Sequence, residues 1–310
     1  MADPLLAIAC QAVQSSTLHY REDSLPTLSL SSTRGLFVLR SVAILYHPRR
    51  ERAVEEARWL EAELGRRGVE TTCGDGWDAT EVQQVCCAKD LVVTFGGDGT
   101  ILRVTRFAAP HGVPVLGINL GRVGFLAEMT PERLRARIDE VAEGHFWTEQ
   151  RTMLDVERRT QQTNDRFLCI NEVVVARGVA PRAIHVQIML DGEEFMTYTA
   201  DGLLVATATG STAYSLAAGG PILYPESCDF MITPVAPHLH IGRSIIVPGN
   251  TSVQLTLATN RPAVISVDGT EEHSLQVGDQ IHVWRSEMTA SFARLGPRRY
   301  FYTAIADRLK

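Results

Sequence analysis

The run Gly96-Gly97-Asp98-Gly99-Thr100 stands directly after an apolar segment, Leu91–Phe95, and directly before residues of helical spacing. Glycines at such a junction let the backbone come close to a ligand and take up positive φ angles. The N–H groups of the helix terminus that follows favour a phosphate there, which points to Gly96, Gly97, Gly99 and Thr100. Asp98 sits where a carboxylate could meet a hydroxyl nucleophile or a metal ion. The bland alternative is a tight strand–helix turn with an aspartate cap. The run is neither the Gly-x-Gly-x-x-Gly of a dinucleotide fold nor a Walker loop, which needs a lysine. Lys89 and Lys310 are the chain's two lysines, so a mechanism built on a phosphate-binding lysine is excluded.

Three further clusters could contribute. Asn119-Leu-Gly121-Arg-Val-Gly124-Phe-Leu126 follows another apolar run and suits a pocket wall at the carboxyl edge of a parallel sheet, or an ordinary loop. Asn171–Glu172 places an amide beside an acid at the start of Val173–Val175. Buried there, both need partners, which a vicinal diol such as ribose could supply; facing solvent, they need none. The stretch from Asp201 through Thr209-Gly210-Ser211-Thr212-Ala213-Tyr214-Ser215 to Pro221 packs hydroxyls, glycines and an aromatic together with hardly any charge. Such a loop can bind a purine edge and phosphate oxygens, where a low-complexity linker would do neither.

The elements that position these clusters follow from periodicity. Val42–Tyr46 reads as a strand. Ala53, Val54, Ala57, Leu60 and Leu64 repeat at helical spacing, with Gly68 as a stop, and Val69–Thr72 predicts a second strand. Val82–Val85 falls in a helix and Leu91–Phe95 in a strand covered on both faces. A helix starts near Thr100, a strand spans Val115–Ile118, and Thr130 caps a helix from Pro131 to about Glu143. This alternation predicts an α/β N-terminal domain with a parallel sheet. Past Gln150, short strands are predicted at Leu154–Arg159, Ile170–Ala176, Ile184–Leu190, Leu203–Ala206, Ile245–Val247, Val253–Leu257 and Val264–Val267. Asp191–Gly192 makes a tight hairpin turn, and Val277-Gly-Asp279 lies between strands. These predict an all-β sandwich C-terminal domain. The expected division is 41–148 for the α/β domain, 149–290 for the β-rich domain, and 291–310 for a segment packing back on the first.

Composition sets outer bounds. The 310 residues, 45% hydrophobic and 21% charged, have the make-up of a soluble globular protein. No apolar run approaches the roughly 20 residues needed to span a bilayer, and a net charge of −6 argues against nucleic-acid or anionic-membrane partners. Cys10, Cys73, Cys86, Cys87, Cys169 and Cys228 form no zinc pattern, and read as free thiols of a reducing cytoplasm. Residues 1–40 lack periodicity, and Asp3 stands before Leu5–Val13 where a secretory signal would carry basic residues. They are expected to be a disordered extension or a mis-assigned start.

The order GGDGT, NLGRVGFL, NEVVV, DGLLVATATGSTAYSLAAGGPI and TPVAPH, over residues 42 to about 270, resembles the bacterial-type NAD kinases, the ATP/polyphosphate-NAD kinase family. The resemblance implies that family's two-domain fold. It also implies phosphorylation of the adenosine-ribose 2′-hydroxyl of NAD to give NADP, using ATP or polyphosphate and Mg²⁺ or another divalent metal. By the same resemblance Asp98 is the general base and, with Gly99, touches the dinucleotide, while Gly96, Gly97, Gly99 and Thr100 lie against the donor phosphates. Asn171 and Glu172 hold ribose hydroxyls. Asp201, Thr209, Thr212, Ala213, Tyr214 and Asp268 line the NAD pocket, and His238 matches the family's Pro-His pair. Homodimers or homotetramers are expected. The chain departs from the family at Ala206-Thr-Ala208-Thr-Gly210, where Ser-Thr-Pro-Thr-Gly is common, and at Arg243, which precedes Ser244 rather than proline. Lipid kinases of the diacylglycerol or sphingosine type share GGDGT, but carry an Asn-Glu soon after it where this chain reads Ile101–Phe107. A phosphofructokinase would need two similar α/β domains. A dinucleotide-binding regulator without catalysis is the alternative from a different class.

Overall fold

The structure, a computed structural model, describes residues 39–121, 124–179, 182–238 and 242–308. The expectation for residues 1–40 therefore falls, apart from the last two, outside the described residues.

The first half alternates as its periodicity requires. It runs β1 (Ser41–Tyr46), α1 (Glu51–Arg66), β2 (Glu70–Asp75), α2 (Ala79–Cys86), β3 (Leu91–Phe95), α3 (Asp98–Ala108), β4 (Val115–Ile118), α4 (Pro131–Ala136) and α5 (Ile138–Ala142). The four strands are parallel in the order β2-β1-β3-β4. Ala53, Ala57, Leu60 and Leu64 form the buried stripe of α1 and pack, with α4 and α5, on one face of the sheet. α2 and α3 cover the other face. Each fully buried leucine contributes roughly 1.5–3 kcal/mol, so the stripe fixes α1 more firmly than its own helix propensity would. All five residues of β3 are buried, as a strand covered on both faces demands.

Two local expectations need correction. α3 begins at Asp98, two residues before Thr100, because Gly97 already serves as its N-cap and Ile101 N–H bonds the Gly97 carbonyl. The helix expected from Pro131 to Glu143 is broken at Arg137, whose φ of −124° is not helical. Thr130 occupies the N-cap position but its hydroxyl bonds the Glu132 carboxylate instead of a helix N–H.

The second half runs β5 (Trp147–Arg159), β6 (Asn164–Cys169), β7 (Glu172–Arg177), β8 (Ile184–Leu190), β9 (Glu193–Ala200), β10 (Gly202–Ala206), α6 (Tyr214–Ala217), β11 (Phe230–Val235), β12 (Ile245–Val247), β13 (Val253–Leu257), β14 (Ala263–Val267), β15 (Glu271–Leu275), β16 (Gln280–Arg294) and α7 (Tyr300–Arg308). β12-β11-β10-β7-β14-β15 form an antiparallel sheet. Its inner face packs on β5, β6, β8, β13 and β16, giving the apolar core of a sandwich. The opposite layer is not a separate sheet, however. β16 pairs with β13 over its first half, shifts register between Arg285 and Thr289, and then meets β4 in parallel at Phe292–Val115. One ten-stranded sheet thus runs from the first half into the second. Asp191 and Gly192, at φ 51° and 85°, turn β8 into β9 with the positive angles that a two-residue hairpin needs.

Candidate active site

Asp98 heads α3 at the carboxyl end of β3. Its Oδ2 accepts the Phe125 N–H at 2.7 Å, while its Oδ1 is buried without a partner. The wall that supplies this donor lies so close that a Cβ on Gly124 would fall 1.9 Å from Asp98 Oδ1. Only glycine fits there. This accounts for Gly124, whereas Gly121 is uncrowded and its N–H donates to Asn119 Oδ1 at 2.9 Å. Thr100 is buried in the first turn of α3, and its side chain fills the space beside Gly96. A Cβ on Gly97 or Gly99 would meet nothing within 4 Å, so these two border open space.

One face of α3 carries the site into the second half. Asp98, Leu102 and Arg106 are four residues apart and share a side of the helix. Leu102 belongs to the buried cluster that contains Ile170, and Arg106 acts electrostatically on Asp268. Asn171 and Glu172 follow Ile170 directly. Asn171 N–H donates to Asp268 Oδ1 at 2.7 Å, and Ile170 N–H to Asp268 Oδ2 at 3.0 Å. Asp268 holds this place with φ +50°, a left-handed angle imposed on a non-glycine residue. Asn171 Oδ1 and Glu172 Oε2 are buried and have no partner.

The two carboxylates of this corner differ in environment. Burial raises both above the ordinary range. Glu172 is pushed up to about 8 by burial and then by the charge of Asp268, against the Tyr214 N–H that favours its ionised form. Asp268 receives the Ile170 and Asn171 N–H groups and the Cys169 thiol, which work against its burial. Pushed up to about 8, Glu172 can hold a proton at neutral pH and donate a hydrogen bond.

The hydroxyl-rich loop closes over the same corner. Thr207 N–H donates to the Asn171 carbonyl at 2.9 Å and its hydroxyl to the Ile170 carbonyl at 2.5 Å. A Cβ on Gly210 would sit 2.2 Å from the Asn171 carbonyl oxygen, so glycine is required for this approach. Thr209 and Thr212 follow, linked by the Thr212 hydroxyl on the Thr209 carbonyl. Ala213 and Tyr214 lead into α6, with Tyr214 44% exposed at the rim.

Asp201 is not gathered into this corner. It precedes β10, whose other end, Ala206, pairs with Glu172; five residues of strand, about 17 Å at roughly 3.4 Å each, separate them. Asp201 instead pairs with Arg177 at 3.1 Å. His238 is at that same end, its N–H on the Thr199 carbonyl. Sequence reasoning named Gly124 and Phe125 as part of a wall without their contact to Asp98. It missed Arg106, although its eight-residue spacing from Asp98 was a usable signal.

It also missed a buried ionic network behind the loop. Arg151 Nε donates to Glu149 at 2.5 Å, its Nη1 to the Thr209 hydroxyl at 3.3 Å and its Nη2 to the Tyr300 hydroxyl at 3.0 Å. The Tyr300 hydroxyl donates to Glu149 at 2.6 Å. Arg294 bonds Glu149, Glu128 and the Leu126 carbonyl. α7 is thereby tied to both walls of the site.

A glycine loop bordering open space, a carboxylate with one unpartnered oxygen at its end, and the unpartnered oxygens of Asn171 and Glu172 suit a phosphotransferase, a kinase of the two-domain α/β plus β type. Two family models match the chain: the ATP-NAD kinase N-terminal domain over residues 42–146 and the ATP-NAD kinase C-terminal domain over residues 170–295. The chain belongs to the NAD kinase family. It is 38% identical over 273 residues to an NAD kinase of Dehalococcoides mccartyi strain CBDB1, covering 87% of this chain and 96% of that protein. It is 37% identical to an NAD kinase of Chloroflexus aggregans over 88% of this chain and 99% of the other. Among solved structures, yeast NADH kinase complexed with NADH superposes with a TM-score of 0.79 at 26% identity, over 87% of each chain. An NAD kinase from Archaeoglobus fulgidus in complex with ATP gives 0.70 at 26% identity, over 86% of this chain and 97% of that one.

Proposed function

We propose that the chain transfers the γ-phosphoryl group of ATP to the adenosine-ribose 2′-hydroxyl of NAD, forming NADP, with Asp98 as the general base. The observation that carries this reading is that three of the four buried side-chain oxygens without partners among the described residues are Asp98 Oδ1, Asn171 Oδ1 and Glu172 Oε2, the fourth being Thr94 Oγ1. Buried polar atoms are almost always satisfied, so three such oxygens on the site residues call for a hydroxyl-rich ligand. Ribose provides it: its hydroxyls donate to Asn171 Oδ1 and Asp98 Oδ1, and accept from protonated Glu172. The Phe125 N–H holds the Asp98 carboxylate so that Oδ1 faces the hydroxyl whose proton it takes. General-base assistance of this kind contributes about 10²–10⁴-fold. Thr209, Thr212, Ala213 and Tyr214 border the adenosine. Asp268 acts from behind, positioning the Asn171 backbone, rather than touching NAD. Gly97 and Gly99 leave room for the donor phosphates at the start of α3, whose N–H groups favour them.

Magnesium fits this arrangement. Among the described residues no group of three or more His, Cys, Asp or Glu could hold an ion alone. Asp98, with its unpartnered oxygen, would share one with the donor's phosphates, as magnesium prefers. Bound there it would neutralise developing charge on the transferred group. Dimeric or tetrameric assembly and a cytoplasmic setting, the latter suggested by five free cysteines among the described residues, belong to the same proposal.

The test is formation of NADP from NAD, ATP and Mg²⁺, read by coupling to a glucose-6-phosphate dehydrogenase. NADP production that is lost in Asp98→Asn supports the reading. Folded protein that makes none refutes it.

A further inference from the structure

α3 has a second side that the site above does not use. His47, the residue after β1, donates its N–H to the carbonyl of Phe95 at 3.1 Å, immediately before Gly96. The turn after β2 packs on α3 as well: a Cβ on Gly76 would lie 3.5 Å from Val104 and 3.6 Å from Thr100. Between these two loops is a cavity of about 470 Å³, lined by His47, Pro48, Arg49, Asp75, Trp77 and Asp78. It opens at the carboxyl edge of the parallel sheet, where folds of this kind take their ligands. It adjoins the glycine loop on the side of β1 and β2, away from Asn171 and Glu172.

The feature without an assigned purpose is Trp77. The residue is 46% exposed although its backbone is held at both ends. Trp77 N–H donates to Asp75 Oδ1 at 2.7 Å, and its carbonyl accepts from Arg103 Nη2 at 2.9 Å. The Arg103 guanidinium lies 5.6 Å from the ring centroid, and the His47 ring 5.2 Å away at a 53° tilt. The ring is thus fixed in place, beside a cavity, with much of its surface offered to solvent. Both carboxylates of the cavity are engaged with backbone: Asp75 on Trp77, and Asp78 on Thr80 and Glu81 as the cap of α2. A preset aromatic platform is suited to stacking a flat heterocycle.

We propose that this cavity holds the nucleoside of the phosphoryl donor, with the base stacked on Trp77, so that the enzyme selects a nucleoside triphosphate over bare polyphosphate. The inference rests on the reading of Gly96–Thr100 as the phosphate site. The donor enters from the Trp77 side of α3, its phosphates cross the glycine loop beside Arg49, and the acceptor ribose waits on the Asp98–Leu102–Arg106 side. Donor and acceptor are separated by the helix and meet at its N-terminus.

The experiment is calorimetric titration of ATP and of inorganic tripolyphosphate, each with Mg²⁺, into wild type, Trp77→Ala and Trp77→Phe, after thermal melts confirm that the variants are folded. Base–aromatic stacking gives about a 5- to 150-fold preference for ATP over tripolyphosphate in wild type. The expected result is that Trp77→Ala removes most of that preference by weakening ATP alone, and Trp77→Phe retains most of it. An equal affinity of wild type for the two ligands, or the same preference in Trp77→Ala as in wild type, overturns the proposal. NADP formation is measured separately. Its absence removes the proposed reaction, whereas NADP formation with an unchanged ATP preference in Trp77→Ala removes only the donor-nucleoside site.

Discussion

Two buried polar clusters lie on either side of Thr209, and they are built on opposite rules. Around Glu149, two arginines, two glutamates and a tyrosine hydroxyl interlock, so that both oxygens of Glu149 are bonded. Around Glu172, one side-chain oxygen on each of Asp98, Asn171 and Glu172 has no protein partner. Apart from Arg294 Nε, which has no partner, the first cluster is satisfied within the protein and can be explained by folding alone, because each ion is paired where it is buried. An unsaturated one is a cost that the apo fold bears, and a ligand can repay it. The difference separates what holds this molecule together from what it holds.

The first way to break the comparison is at Asp98. Asp98→Asn keeps an oxygen for the Phe125 N–H but removes the proton acceptor. Turnover should fall by about 10²–10⁴-fold. The melting temperature should stay near that of wild type. If activity survives, the unpartnered Asp98 oxygen is not the base, and the unsaturated cluster loses its chemical meaning.

Arg294→Met attacks the other cluster. Arg294 is 1% exposed and is shared by Glu128 and Glu149, so its loss leaves buried carboxylates short of compensation. Breaking such a pair costs about 3–5 kcal/mol. For a chain of this size that lowers Tm by roughly 6–20 °C, read by differential scanning calorimetry. A drop of only a degree or two would mean that the network is not what secures α7 to the site walls.

Glu172→Gln sharpens the contrast through pH. The folded protein holds a proton on Glu172 up to about 8, whereas an unfolded glutamate, with an ordinary value of 4.5, has already released it. Between those values the folded state binds more protons, so stability declines as pH rises, by at most about 1.4 kcal/mol per pH unit. Above about 8 the decline from this group ends. Tm measured from pH 5 to 8 should fall more steeply for wild type than for Glu172→Gln. Parallel curves would show that the proton is not on Glu172.

The saturated and unsaturated clusters were unequally legible in the sequence. Asp98, Asn171 and Glu172 stood out because chemistry confined them to short runs beside apolar strands, where a polar residue needs a reason. Arg151, Glu149 and Arg294 did not. Glu149 and Arg151 alternate with exposed residues in β5, and Arg294 closes the buried run Ala290–Arg294 of β16; a charged residue in a strand reads as solvent-facing until the partner layer is known. β16 itself escaped notice because its polar middle, Arg285–Met288, hides a strand that changes neighbours at its register shift. β9, with two glutamates at its start, was visible only through the Asp191–Gly192 turn before it. The parallel half was easier, since β1, β3 and β4 are apolar on both faces and α1 carries one buried stripe. Asp201 adjoins the hydroxyl-rich loop in sequence, and a buried strand carries it to the other end of the sheet.

The smallest expected effect tests the comparison at the glycine loop. Gly210 and Gly124 are glycines because protein atoms crowd them, whereas Gly97 has nothing within 4 Å of a would-be Cβ. Its backbone, at φ −89° and ψ 179°, is extended and open to any residue. Gly97→Ala should therefore change stability by no more than about 0.5 kcal/mol, like other surface substitutions. If the space beside it belongs to the donor phosphates, KM for ATP should rise several-fold while KM for NAD stays put. A methyl group there that leaves both constants unchanged would place the phosphates elsewhere. One that raises KM for NAD instead would move the acceptor, not the donor, to this side of Asp98.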